Sequence, residues 1–253
     1  MKDLPTQPNQ TRVQQSFRRG LDTYHSAATH QADIANRLAE CLATVAPNAL
    51  TNVFEFGVGT GHLTQAIQDR FTVNNLRLND LVPECAAFAP STATFLDGPV
   101  QQVPLPNDLD LICSASTVQW LDDLPTTISQ LSNHLRTGGW LALSSFGTAQ
   151  FHELRSLGSN AAAPSYCDAE DWRAILPKTM KIKHLSQARR VEWFPNAIAL
   201  LRHLRDTGVN GAASQKWSAK DLKAFETSYR DRFGTPQGLP LSYDPVWVIA
   251  QKA

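Results

Sequence analysis

The stretch "NVFEFGVGTGHLTQAI", residues 52–67, passes from an apolar segment through three closely spaced glycines into a segment with helical character. A chain stripped of side chains at Gly57, Gly59 and Gly61 accepts positive φ and leaves no Cβ between the backbone and an approaching group. The helix that follows opens with unpaired amides, which suit a carboxylate or a phosphate. Alone, such a turn is weak evidence, because ordinary turns share the pattern. Its setting strengthens it: a strand precedes, a helix follows, and Asp80 ends the next strand nineteen residues after Gly61. A carboxylate there can accept both hydroxyls of a ribose; the plain alternative is a solvated turn residue.

Outward from this turn, apolar and helical segments alternate. "TNVFEF" reads as a strand, "GHLTQAIQDRF" as a helix, "NLRLND" (75–80) as a second strand, "PECAAFA" as a short helix, and "ATFL" as a third strand. "LDLICSAS" (109–116) is apolar enough for a buried central strand. "LPTTISQLSNHLR" places Leu124, Ile128, Leu131 and Leu135 in helical register, with "TGG" as its stop and "WLALSSF" as a fifth strand. This alternation over residues 50–146 predicts an α/β fold, a parallel sheet covered on both faces. Upstream, Ile34, Leu38, Cys41, Leu42 and Val45 share one helical face. Downstream the rhythm changes to helices near 149–157, 168–176, 196–207 and 218–233, with one long strand over 181–194 and a last one over 241–252. Ser218 and Asp221 form a helix-opening box.

Composition bounds the rest. The 253 residues, 42% hydrophobic and 18% charged, can bury a real core and exclude a disordered tail protein. Lys plus Arg and Asp plus Glu are both 23, so the overall basic field of a nucleic-acid binder is missing. Cys41, Cys85, Cys113 and Cys167 form no Cys-x-x-Cys pair and read as buried free thiols rather than disulfides or a zinc site. The histidines, His25, His30 and His62 among them, form no ligand pattern, so no metal is expected. No run approaches the ~18 apolar residues of a membrane span and no signal-peptide core is present, which makes a cytoplasmic protein the expectation.

Two ligands fit the turn and Asp80. A nicotinamide dinucleotide prefers the wider G-x-G-x-x-G spacing. The pattern here, Glu55-x-Gly57-x-Gly59-x-Gly61, resembles the first motif of class I S-adenosylmethionine-dependent methyltransferases, as does Leu135-Arg136-Thr137-Gly138-Gly139 before the fifth strand. That resemblance implies a doubly wound, mostly parallel seven-stranded sheet. It also implies Glu55 near the amino group of the methionine moiety, the glycine turn against the cofactor, and Asp80 on the ribose.

The similarity extends over residues 13–252. "FRRGLDTYHSAATHQ" (17–31), "SASTVQWLDDL" (114–124), "FPNAIALLRHLRDTGVNG" and "GLPLSYDPVWVIA" resemble segments of the malonyl-[acyl-carrier protein] O-methyltransferases of biotin synthesis. The chain is read as one methyltransferase domain: a loose tail (1–12), an N-terminal helical cap (13–48), a cofactor-binding core (50–146), substrate and lid helices with one strand (147–235) and a last strand (240–252). Ser114 is placed with the cofactor. Pro99 stands where the family commonly has an Asp near the adenine amino group, so Asp97 through a shifted turn, or backbone alone, takes that part.

The activity implied is methylation of the free carboxylate of a malonyl thioester, on an acidic acyl carrier protein or coenzyme A, without nucleic acid or membrane. A carboxylate of pKa ~4 is ionised at neutral pH, so no general base is expected and no catalytic residue is assigned. Substrate candidates are Tyr24, Gln119, Trp120, Arg202, Arg205 and Tyr243. The aromatics read equally as packing residues, and the two arginines as a solvated face. "PKTMKIKHLSQARR" (177–190) reads as a docking face for the carrier or as a lysine-protected sheet edge. Other readings are a carboxyl methyltransferase for a small acid such as trans-aconitate, a cofactor-binding partner protein without catalysis, and a dehydrogenase.

Overall fold

The computed structural model describes residues 29–159, 163–206 and 218–253, together with Gln14 and Arg18. The proposed tail, residue 13, residues 15–17 and 19–28 of the N-terminal cap including Tyr24, and residues 160–162 and 207–217 lie outside them.

In chain order the elements are α1 (Thr29–Ala43), β1 (Ala49–Phe56), α2 (His62–Gln68), β2 (Thr72–Asp80), β3 (Thr94–Asp97), β4 (Leu109–Ala115), α3 (Leu124–Asn133) and β5 (Leu135–Phe146). There follow α4 (His152–Ser156), α5 (Trp172–Ile175), β6 (Met180–Gln187), β7 (Arg190–Phe194), α6 (Ala197–Asp206), α7 (Ala219–Phe233), β8 (Leu239–Tyr243) and β9 (Pro245–Lys252). Short 3-10 turns at Pro83–Phe88, Val118–Trp120 and Ala169–Asp171 fill the connections.

The chain folds as two compact units. Thr29–Thr148, Pro164–Ala188 and Asp244–Ala253 build a seven-stranded sheet in the order β3-β2-β1-β4-β5-β9-β6. Strands β1 to β5 run parallel, and β9 is antiparallel to both β5 and β6. Strand β4 is buried on both faces from Leu109 to Ser114, as a central parallel strand flanked by helices must be. The strand order reverses between β1 and β4, the place where ligands settle at the carboxyl ends of open α/β sheets. All of Cys41, Cys85, Cys113 and Cys167 are free thiols, the first three buried.

The second unit comprises Met1–Ala28, Ala149–Ala163 and Arg189–Tyr243. Its described part holds α4, α6, α7 and the two-stranded antiparallel pair β7–β8. Helix α7 opens as expected: the amide of Asp221 donates to Ser218 Oγ at 3.2 Å and that of Ser218 to Asp221 Oδ2 at 3.0 Å.

Four local expectations need correction. Helix α1 stops at Ala43, so Val45 lies beyond it and is 37% exposed. Helix α3 ends at Asn133, and Leu135 already belongs to β5. The Thr137-Gly138-Gly139 stretch is an irregularity within that strand, where the register shifts between Leu109 and Leu111. A Cβ on Gly139 would come within 2.8 Å of the Leu109 carbonyl oxygen, so glycine there serves the close approach of two strands. The long strand over 181–194 is two, β6 and β7, in different sheets, and the last strand likewise splits at Asp244 into β8 and β9. No glycine or proline interrupts residues 181–194, so no local signal marks the first break.

Candidate functional site

The glycine turn leaves β1 at its carboxyl end. Gly57, Gly59 and Gly61 have φ of 68°, 55° and 82°, the left-handed region that glycine enters at least cost. Their reasons differ. A Cβ on Gly57 would collide with the Thr117 side chain, so the space above Gly57 is filled by the protein itself. A Cβ on Gly59 would meet nothing within 4 Å: bare backbone faces open space. Gly61 caps α2.

The turn is tied down by the end of β2. The amides of Gly57 and Val58 donate to the Asn79 carbonyl at 2.8 and 3.2 Å. The Asn79 side-chain amide donates to the carbonyls of Leu96 and Gly98 at 2.8 and 2.9 Å. Asp80, 9% exposed, accepts the Gly59 amide on Oδ2 and the Val82 amide on Oδ1, both at 2.9 Å. Burial raises its pKa, opposed by the hydrogen bonds from Gly59, Val82, the Cys85 thiol and Leu81.

Glu55 is 2% exposed and receives the Thr64 hydroxyl on Oε2 at 2.7 Å. Burial pushes its carboxyl up to about 8; the Asp80 charge adds to the rise, and the hydrogen bonds from Thr64 oppose it. No lysine or arginine among the described residues forms an ion pair with Glu55 or Asp80. Two buried carboxylates without a cation favour a positively charged ligand.

Further polar groups stand open in segments that leave or approach this sheet end. Thr60 Oγ1, Ser116 Oγ, Gln119 Oε1 and Ser145 Oγ are buried without a hydrogen-bond partner. So is Oε1 of Gln31, in the first turn of α1. Ser116, just past β4, takes φ of 55°, uncommon for a non-glycine residue, and Gln119 Nε2 donates to its carbonyl at 2.6 Å. Buried polar atoms are paired in the great majority of cases, so a cluster at one end of a sheet marks a place for a ligand.

Of the residues singled out in the sequence, Glu55, Gly57, Gly59, Gly61 and Asp80 converge on this turn. Asp97 ends β3 in register with Asp80 and is exposed; Gly98 beside it has φ of 111°, with nothing within 4 Å of a Cβ position. Ser114 is fully buried, and its hydroxyl donates to the Phe56 carbonyl at 2.7 Å, joining the end of β4 to the residue before the turn. Gln119 is buried and Trp120 half-buried in the 3-10 turn after β4. Thr64, Asn79, Ser116 and Thr117 were missed. The polar pair Asn79-Asp80 closing β2 was the one legible signal; Thr64 reaches Glu55 across the glycine turn, nine positions away, and Thr117 meets Gly57 from sixty positions away.

The remaining candidates belong to the second unit. Tyr243 ends β8 rather than opening the last strand. It is 2% exposed, with its hydroxyl 2.5 Å from His203 Nε2 and its ring edge-on to Phe151. Arg202 and Arg205 flank His203 on α6 and are exposed.

Residues 54–143 match the family described as "Methyltransferase domain". The chain is 33% identical to the malonyl-[acyl-carrier protein] O-methyltransferase of Prosthecochloris aestuarii, over 97% of this chain and 95% of the relative. It belongs to the malonyl-[acyl-carrier protein] O-methyltransferase family. The enzyme of that name from Acinetobacter baylyi is 30% identical, over 96% of this chain and 97% of the relative. The fold is shared with more distant members of the class: an S-adenosylmethionine-dependent methyltransferase of Mesorhizobium loti superposes with TM-score 0.53 at 13% identity, over 87% of this chain and 100% of that one. In this family member, then, the sheet end with its open glycine and two uncompensated carboxylates is where the cofactor of a methyltransferase is to be sought. No helix among the described residues is long and apolar enough to cross a membrane.

Proposed function

We propose that this chain transfers a methyl group from S-adenosylmethionine to the free carboxylate of a malonyl thioester, borne by an acyl carrier protein or coenzyme A. The product is the methyl ester that primes pimeloyl assembly for biotin, with S-adenosylhomocysteine released. The observation that carries the reading is near-full-length relatedness to enzymes of that name. The chemistry of the turn supports it, since S-adenosylmethionine brings a sulfonium and an ammonium to two buried carboxylates that no lysine or arginine among the described residues pairs.

When bound, S-adenosylmethionine supplies the sulfonium methyl as the electrophile. Glu55 would receive the ammonium, Asp80 the ribose hydroxyls, and the backbone at Gly57, Gly59 and Gly61 would lie along the cofactor. Asp97 and the Gly98 backbone would take the adenine end. Ser114 and Asn79 would act indirectly, by fixing the strand ends from which these groups project.

The malonyl carboxylate, pKa ~4, is already ionised at neutral pH, so no residue of the chain has to remove a proton. The protein's work is alignment of one carboxylate oxygen and exclusion of water. Gln119, its Oε1 open, and Trp120 are the substrate-binding proposals within the sheet unit; Tyr24, Arg202, Arg205 and Tyr243 are those of the second unit. A methyl cap removes a charge that an apolar acyl tunnel would accept only at a cost of several kcal/mol, which gives the reaction its use.

The test is incubation with S-adenosylmethionine and malonyl, succinyl and acetyl thioesters, with trans-aconitate alongside, read by mass spectrometry. Malonyl thioesters should gain one methylene and acetyl thioesters nothing, since they lack the distal carboxylate. Comparable transfer to trans-aconitate would move the assignment to a small-acid carboxyl methyltransferase.

A further inference from the structure

Overall neutrality, 23 basic against 23 acidic residues, hides a division. The segments of the second unit hold 14 Lys and Arg against 8 Asp and Glu, a surplus of six positive charges. The segments of the sheet unit hold 9 against 15, a surplus of six negative ones. A macromolecule of acidic character is attracted to the former and repelled by the latter.

Within the second unit, β7 pairs on one edge only, with β8. Its side chains alternate between two faces. Glu192 and Phe194 turn toward His203, at 3.3 Å from Glu192 Oε2 to Nε2 and 5.1 Å between rings. Val191 and Trp193 turn the other way and stay 43% and 41% exposed. Arg189, two residues before Val191, is exposed as well. An exposed tryptophan beside a valine and an arginine, in a unit of positive surplus, has the composition of an interface centre: Trp and Arg are enriched among residues that dominate binding energy.

The basic run 177–190 is divided by the fold. Lys178, Lys181 and Lys183 belong to the acidic sheet unit. Lys181 and Lys183 are exposed on β6, an edge strand whose pairing slips between Ile182 and His184. Lysines and a bulge on an edge strand prevent edge-to-edge association. Only Arg189 and Arg190 lie in the second unit.

We propose that the outward face of β7, Val191 and Trp193 with Arg189 beside them, is the docking surface for the acidic carrier protein that presents the malonyl thioester. The inference rests on the methyl-transfer reading above. The apolar pair supplies contact area, and the arginine, with the surplus of its unit, supplies attraction and orientation. The surface acts on encounter and residence of the carrier, through contact area and charge, and not on methyl transfer.

The experiment compares wild type, Trp193→Ala, Arg189→Glu and the double variant Lys181→Glu/Lys183→Glu with malonyl carrier protein and with malonyl-coenzyme A, at low and physiological salt. Trp193→Ala should raise KM for the carrier substrate about tenfold, the scale of an interface anchor. Arg189→Glu should lower kcat/KM for it severalfold, most at low salt. Both should leave malonyl-coenzyme A turnover unchanged within about twofold, and the lysine pair should change neither substrate much. Equal losses on both substrates, or none on the carrier, overturn the docking surface. So does a loss confined to the lysine pair, or binding of wild type but not Trp193→Ala to phosphatidylglycerol vesicles, which would assign the face to lipid. A wild-type protein that methylates neither thioester removes the methyl-transfer reading and the docking surface with it. Normal turnover of both by every variant removes the surface alone.

Discussion

The carboxyl end of β1 and the β8 strand of the second unit both bury a glutamate, and they treat it differently. Glu153, 2% exposed, accepts the Ser242 amide at 3.0 Å and the Ser242 hydroxyl at 2.7 Å on separate oxygens. Nearby, the Tyr243 hydroxyl meets His203 and the Tyr229 hydroxyl donates to the Pro240 carbonyl at 2.6 Å. Around Glu55 the protein supplies Thr64 and then stops. Asp80 adds a second negative charge, and Thr60, Ser116 and Gln119 hold polar atoms without partners. The first arrangement is closed on itself and stabilises a scaffold. The second is incomplete as a piece of protein and is completed by a ligand bearing positive charge.

Breaking the open arrangement at Gly59 should have the largest effect. Gly59→Val places a branched side chain in the open space beside Asp80, and S-adenosylhomocysteine affinity should fall about 100-fold or more, some 2.7 kcal/mol. Because no protein atom lies within 4 Å of the added Cβ, the circular dichroism should stay native at about 25 °C, while the φ of 55° should cost the valine about 1–3 kcal/mol of stability through backbone strain. Calorimetry showing unchanged affinity would dismiss the turn as the cofactor site. Gly57→Ala sharpens the contrast: its Cβ would collide with Thr117, so it should lose about 1–3 kcal/mol of stability, the usual range for overpacking, as read by urea titration.

The charge of Glu55 gives a pH test. Its carboxyl is pushed up to about 8 from 4.5, so between those values the folded chain binds more protons than the unfolded one. Stability of the ligand-free protein should therefore fall as pH rises through that window. A cationic ligand reverses the preference, so S-adenosylhomocysteine should bind more tightly as pH rises over the same interval, its ammonium stabilising the ionised Glu55. Glu55→Gln should flatten the stability slope and weaken binding at pH 8. A slope that survives in this variant would assign it to another group.

The closed arrangement should respond in stability and not in cofactor binding. Ser242→Ala removes one donor from the buried Glu153 and should cost about 1–3 kcal/mol, the penalty for an under-satisfied buried group, with S-adenosylhomocysteine affinity unchanged. Smallest of all, Tyr243→Phe deletes the hydroxyl that meets His203 and should cost about 1 kcal/mol. A loss of cofactor affinity in either variant would blur the distinction between the two regions.

Legibility in the sequence follows the range of the interactions. The turn was readable because its glycines, Glu55 and the strand and helix around it are local, and because parallel β1 and β2 place Asp80 at a predictable spacing. The partner of Ser114, the Phe56 carbonyl, was not legible, because it depends on the pairing of β4 with β1. The split of residues 181–194 was invisible because no glycine or proline marks it, and β6 and β7 are told apart by the sheets that receive them. The charge division between the units was equally hidden, since 1–28, 149–163 and 189–243 are interleaved with the segments of the sheet unit.

By itself the sequence determined the parallel α/β core, the glycine turn with its two carboxylates, and the family, all of which rest on residue order and short-range periodicity. Tertiary structure alone decided that Gly57 makes room for Thr117 while Gly59 faces open space, that Glu55 and Asp80 are buried with no ion pair to a lysine or arginine among the described residues, and that Trp193 stays exposed. Burial and compensation of charge are properties of what surrounds a residue, and those surroundings come from segments as much as sixty positions away, as Thr117 is from Gly57.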